Sequence, residues 1–221
     1  MKMIFNLVKK DFMLIRKTVA LIMLVVIGFP IFFAFQFEAE EAFDSMGTVI
    51  FGALAFMCTF MIYHSASLEE LKYNGPYCLV ATPYSRKKIV IGKYCTLLVS
   101  YIMVCIGYII SSIVSPVEIP RISFSTISII LLGLSIFFGI YLPLIFKLGY
   151  TRVQSVGGAV IFLTPFLIPQ LKKVIESGKI SLGFLEALST TQISVIALVL
   201  GILISVFSSM KSMSIFEKKD L

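Results

Sequence analysis

Residues 85–114 read SRKKIVIGKYCTLLVSYIMVCIGYIISSIV, a knot of cations followed by an uncharged run from Tyr94 to Val114. A run of that length matches the roughly 20 residues that carry a helix across a hydrocarbon layer about 30 Å thick. The same character recurs at Thr18 to Gln36, Gly47 to Ala66, Ser125 to Phe146, Ser155 to Leu171 and Ile193 to Met210, the fifth span being the shortest. Over all 221 residues, 58% are hydrophobic and 14% charged, whereas soluble domains carry about 25% charge. The expected fold is an all-α integral membrane protein, a single domain over 1–221 with six transmembrane helices.

The cations set its orientation, because Lys and Arg in short loops stay on the cytoplasmic side. With the N-terminus inside, only Arg121, Lys172, Lys173 and Lys179 fall outside, while Glu38, Glu40, Glu41 and Asp44 crowd the first external loop. Both termini are therefore expected in the cytoplasm of a bacterial cell, around a multi-pass protein of its membrane. The basic balance is used up at span ends, so no nucleic-acid partner is expected. The N-terminal apolar run is long for a signal peptide and lacks a small-residue cleavage site.

Residues 1–17, MKMIFNLVKKDFMLIRK, are too polar to span. At helical periodicity Ile4, Leu7, Val8, Phe12, Leu14 and Ile15 share one side and the cations the other, with Asp11 a lone acid on the apolar side. That pattern predicts a helix in the inner membrane interface, its lysines facing anionic lipid headgroups. The loop over 172–192 is extracellular and semi-apolar, with room to dip back into the outer leaflet where protein shelters its backbone. Pro30, Pro143, Pro165 and Pro169 lie within spans and favour kinks there.

Little in the chain suggests bond-making chemistry. Cys58, Cys78, Cys95 and Cys105 form no CxxC or Cys/His cluster, so no metal site is indicated. His64, the sole histidine, has no acid beside it in sequence to make a proton relay. No carboxylate pair or Ser/His set marks an enzyme. No GxxxxGK[ST] occurs either, so the chain has no ATPase site of its own.

The segment 67–93 stands apart. Asn74, Gly75 and Pro76 form a helix start, since Asn caps free N–H groups and Pro tolerates the first turn. Tyr77, Cys78, Leu79, Val80 and Ala81 give about two apolar turns before Thr82-Pro83 stops them. A second start follows at Ser85. A short apolar helix in the cytosol needs a surface to bury against, and Arg86, Lys87 and Lys88 beside it suit an acidic rim. Equally, those cations fix topology and the helix packs on its own bundle.

The run NGPYCLVATPYSRKKIVIGKY resembles the first cytoplasmic loop of ABC-2 type permeases, where the corresponding segment is the coupling helix that docks into an ATPase. YLPLIFKLGYTRVQSV, ending span four, also resembles a subgroup of that family. Within it the chain is most similar to the small permeases of staphylococcal exporters for phenol-soluble modulins. The resemblance implies a permease without ATPase activity, coupled through Asn74 to Ala81, Arg86 and Lys87 to a cytoplasmic ABC ATPase in two copies or two paralogues. ATP and Mg would be held by that partner, and a second permease chain, identical or paralogous, would complete the path.

The spans carry no acid or cation of the kind that ion-coupled transporters place at mid-membrane. Abundant Phe (20) and Met (10) suit an apolar, adaptable path. The expected function is therefore outward movement of an amphipathic or hydrophobic cargo, peptide, toxin or lipid-like. Met57, Phe60 and Tyr63 on span two are the candidate path residues. The alternatives are a polytopic protein with a channel, immunity or structural role and no ATPase, and a membrane-embedded enzyme.

Overall fold

A computed structural model describes residues 2–36, 42–73, 85–117, 119–155, 157–159 and 189–218. The described chain is helical, with α1 (Lys2–Leu14), α2 (Arg16–Gln36), α3 (Ala42–Lys72), α4 (Arg86–Val114), α5 (Phe124–Leu148) and α6 (Thr190–Glu217). Five helices are long and apolar enough to cross a membrane, α3 from Gly47 onward. They match five of the six expected spans. The remaining one, 155–171, lies almost wholly outside the described residues, as do the helix expected over 74–81 and residues 172–188.

Helix ends follow local chemistry. Ser85 holds the N-cap position of α4, where the sequence predicts a helix start, without a capping hydrogen bond from its side chain; the helix starts eight residues before its uncharged run and carries Arg86, Lys87, Lys88 and Lys93 within it. The α5 N-cap, Ser123, accepts from the Thr126 N–H at 3.1 Å. At α6 Ser189 and Gln192 form a reciprocal capping box. Gly149 ends α5 at φ +90°, a backbone region that side-chain-bearing residues avoid, and its N–H donates to the Ile145 carbonyl at 2.8 Å. The first connection is shorter than the expected loop from Phe37 to Ser45, because α3 begins at Ala42.

Contacts along the helices fix their directions. In the α3–α4 pair Phe51 meets Tyr108 (ring centroids 5.1 Å apart) and Glu70 meets Lys93 at the other end, so the two are antiparallel. α1 and α2 run with α4: Met3 contacts Lys88, Leu7 packs on Gly92, Asp11 bonds Thr96, and Val26 packs on Gly107. α5 runs with α3, since Ile130 touches Gly52, Phe137 touches Phe56 and Tyr141 touches Phe60. α6 runs with α5, with Gly201 on Leu132 and Ser135, Ser208 on Gly139, and Phe216 on Phe146.

Small residues bring α5 and α6 together, which is how helices associate in lipid, where burying apolar area gains little. The Ser208 hydroxyl donates to the Gly139 carbonyl at 2.7 Å and bonds the Tyr94 phenol of α4 at 2.7 Å; Ser212 bonds the same phenol at 3.0 Å. Between α3 and α5 lies an aromatic cluster of Phe60, Tyr63, Phe137, Phe138 and Tyr141. These pairings leave Met3, the root of the α3–α4 loop and Phe216 at one end of the bundle. Arg121 is at the other.

Candidate functional site at the basic end of the bundle

Two roots, Tyr73 and Ser85, bound the connection expected to carry the coupling helix. Asn74, Gly75, Pro76, Tyr77, Cys78, Leu79, Val80 and Ala81 lie outside the described residues. Arg86 and Lys87 are described, and both engage the chain's own α6. The Arg86 guanidinium donates to the carbonyls of Phe216 (3.2 Å) and Glu217 (3.0 Å) and lies 5.9 Å above the Phe216 ring. Lys87 pairs with the Glu217 carboxylate at 3.5 Å.

A cation at a helix C-terminus satisfies carbonyls that lack intrahelical donors and complements the helix dipole. Arg86→Ala should therefore lower the stability of the permease without any partner, by about 1–2 kcal/mol, the scale of charge-assisted hydrogen bonds at a partly exposed site. Arg86→Lys should recover little, because a point ammonium does not span two carbonyls as a planar fork does. Thermal denaturation of the purified chain in detergent reads both. An unchanged midpoint for Arg86→Ala would show that the contact contributes nothing.

Deeper in, four charges close into a ring. Lys93 of α4 contacts Asp11 of α1 at 3.1 Å and Glu70 of α3 at 2.8 Å. Lys10 contacts Asp11 at 3.1 Å and also pairs with Glu70. Each cation thus touches both acids, and the four formal charges cancel. The side chains of Asp11, Glu70 and Lys93 are 5%, 11% and 10% exposed, while Lys10 opens towards solvent. The Thr96 hydroxyl lies 3.1 Å from the Asp11 carboxylate and 3.0 Å from the Gly92 carbonyl of its own helix, and its one proton is shared between these acceptors.

The ring overturns two readings of the sequence. Asp11 is no flaw in an apolar stripe but the residue that matches α1 to α4. Lys93 does not merely mark the membrane boundary; it is a buried member of an ionic set. A signal for it existed: one acid on the inward face of α1 and one lysine amid Ile91, Tyr94 and Cys95 each demand a partner once buried. Sequence alone did not say that they, with Glu70, demand one another.

The apolar side of α1 faces the bundle, with Leu7 buried, and Ile15 is buried immediately beyond its end. Phe5 and Met13 are 68% and 63% exposed on the outer side, beside Lys9 and Arg16. Leu14, expected on the apolar side of α1, is exposed and so does not share the contact with the bundle.

The three path candidates are not on one surface of the protomer. Phe60 and Tyr63 are buried in the aromatic cluster, whereas Met57 is 53% exposed. A groove of about 420 Å³ opens instead between α4, α5 and α6, lined by residues such as Tyr94, Tyr101, Leu134, Phe138, Ile202 and Val206. Among the described residues of α3, Thr59 reaches it.

His64 stacks on Phe60 (5.6 Å) and bonds the Tyr150 phenol through Nδ1; the same phenol lies 3.3 Å from the His64 carbonyl oxygen. Burial pushes the Tyr150 phenol well above its ordinary pKa, so it stays protonated. The pair fastens the helical residues 150–155 to α3, and its described contacts include no carboxylate.

A family model described as ABC-2 family transporter protein matches residues 6–217. No curated protein and no solved structure matches the chain.

Proposed function

The chain belongs to the ABC-2 family of transporter proteins, matched from Asn6 to Glu217, and we propose that it is the permease subunit of an exporter driven by ATP hydrolysed on a separate cytoplasmic ABC ATPase. The family makes it a membrane transport subunit rather than an enzyme. In this reading ATP and Mg sit on the partner ATPases, two copies or two paralogues, and two permease chains, identical or paralogous, frame the path. The cargo is amphipathic or hydrophobic and moves outward.

A six-span topology is supported by direction. α5 and α6 run the same way, so Leu148 and Thr190 lie at opposite ends of the bundle. One further crossing between them, at 155–171, reconciles the two if both helices span the bilayer. That topology leaves the N-terminus, the α3–α4 loop and the C-terminus on one side, and the weight of cations assigns that side to the cytoplasm. Phe5, Lys9, Met13 and Arg16 on the outer side of α1 suit an interface rich in anionic headgroups.

The observation that carries the proposal is the anchoring of the loop's two roots. Glu70 and Lys93 hold them to each other and to α1, and Arg86 and Lys87 hold the second root to the end of α6. A loop gripped on both sides delivers a push from the cytoplasm to the bundle instead of absorbing it. Within that loop, Asn74 to Ala81 form the coupling helix and Leu79 and Tyr77 its apolar contacts. Among the path candidates, Met57 is the one whose exposure suits contact with cargo.

The test is co-purification from native membranes. Leu79→Asp should lower the recovery of the ATPase about tenfold or more, as expected when an anchor in a desolvated interface is replaced by a charge, and Tyr77→Ala should lower it too. Membrane insertion should not change. Unaltered ATPase recovery with Leu79→Asp would remove the coupling assignment.

A further inference from the structure

A set of four charges with three of them buried is a poor way to gain stability, because apolar side chains of similar volume generally do as well or better. Its physical merit is register. Apolar packing alone lets one helix slide or turn against another at modest cost, whereas a slip of α1 by one turn, about 5.4 Å, would part Lys10 from Glu70 and Asp11 from Lys93, the pairs that join it to α3 and α4. The ring joins α1 to both roots of the α3–α4 loop, Glu70 three residues before Tyr73 and Lys93 within the second turn of α4 beyond Arg86.

What α1 is attached to gives that grip a purpose. Only Ile15, 3% exposed, separates α1 from α2. The Val19 N–H donates to the Ile15 carbonyl at 2.9 Å, so helical hydrogen bonding resumes at once. A junction this short transmits displacement along the chain instead of absorbing it. α2 in turn touches α4 where Val26 packs on Gly107, well away from the ring.

We propose that the ring of Lys10, Asp11, Glu70 and Lys93 makes α1 a lever, through which movement of the α3–α4 loop displaces α2 within the membrane. Its members are positioning residues that touch no cargo. The lever rests on the reading of that loop as the ATPase docking point, and it predicts separate defects: ring variants keep the ATPase but lose the motion of α2, while loop variants lose the ATPase.

The experiment measures the distance between spin labels at Gly28→Cys on α2 and Gly133→Cys on α5, in full-length chain purified with its ATPase and with the four native cysteines replaced by alanine. A side chain at either glycine meets nothing within 4 Å, so the labels fit without displacing neighbours. With the ring intact, ATP and orthovanadate should shift the distance by about 2 Å or more relative to nucleotide-free complex, the scale of helix shifts in switching proteins.

Asp11→Asn should retain the ATPase and its ATP hydrolysis yet lose more than half of that shift, and Asp11→Glu should restore it. A full shift in Asp11→Asn, or none in the intact complex, overturns the lever. If Asp11→Asn does not accumulate, Thr96→Val carries the test, because it keeps all four charges and removes the hydroxyl shared between Asp11 and the Gly92 carbonyl. It too should reduce the shift, and an undiminished one overturns the proposal. Failure of the intact chain to retain any ATPase would instead sink the exporter reading, and the lever with it.

Discussion

Lys93→Met is expected to destabilise the folded chain by about 3–5 kcal/mol, the usual cost of leaving buried charge without its partner. Asp11 and Glu70 would then share Lys10 alone, the most exposed member of the set. Methionine has nearly the volume of lysine, so the loss is electrostatic rather than a cavity. The compensating change is therefore informative. Adding Asp11→Leu removes the stranded carboxylate, leaves Lys10 paired with Glu70, and should recover more than half of the lost stability. Thermal denaturation in detergent, with protein level in the membrane as a second readout, decides it. If the double variant is no better than Lys93→Met, or the single variant is as stable as the parent, the ring is not the closed ionic set described above.

Gly201→Leu should be comparably severe for a different reason. A Cβ at Gly201 would lie 3.3 Å from the Ser135 hydroxyl and 3.4 Å from the Leu132 Cα, with the α5 backbone immediately behind it. Alanine fits that gap with small adjustments, and its better helix propensity offsets the strain, so Gly201→Ala should stay within about 1 kcal/mol of the parent. Leucine has nowhere to go except by prising α5 from α6, at a cost of about 3 kcal/mol. Gly133→Leu on the opposite side of α5 is the control, because nothing lies within 4 Å of that position. Equal losses at the two sites in denaturation scans would show that close approach of the helices is not what Gly201 provides.

Five of the six expected spans were legible because long uncharged apolar runs leave a chain few choices, and the start of α4 just after Ser85 was legible from the residue type at that position. The four cations near that start were harder to interpret. In sequence Arg86, Lys87 and Lys93 look alike, a basic step into the membrane. In the fold one caps α6, one pairs with Glu217 and one is buried between two acids. Those differences depend on partners from 23 to 131 residues distant, which no local pattern specifies. The face of α1 was read well, apart from Leu14, but not its destination: a stripe suited to lipid is equally suited to α4, and only Asp11 hinted at the second.

The parallel pairing of α5 and α6 bears on how the protein is made. α3 and α4 are joined by a short connection and run in opposite directions, so they can close on each other as soon as both have left the ribosome. α5 cannot close on α6 in that way. Until α6 is threaded into the bilayer, Ser135 and Gly139 lack their α6 contacts, and the Tyr94 phenol lacks both of its serine partners. Assembly of this subunit is thus gated by its last described helix. A nascent chain stalled before that helix should be a preferred substrate for the membrane's quality-control proteases.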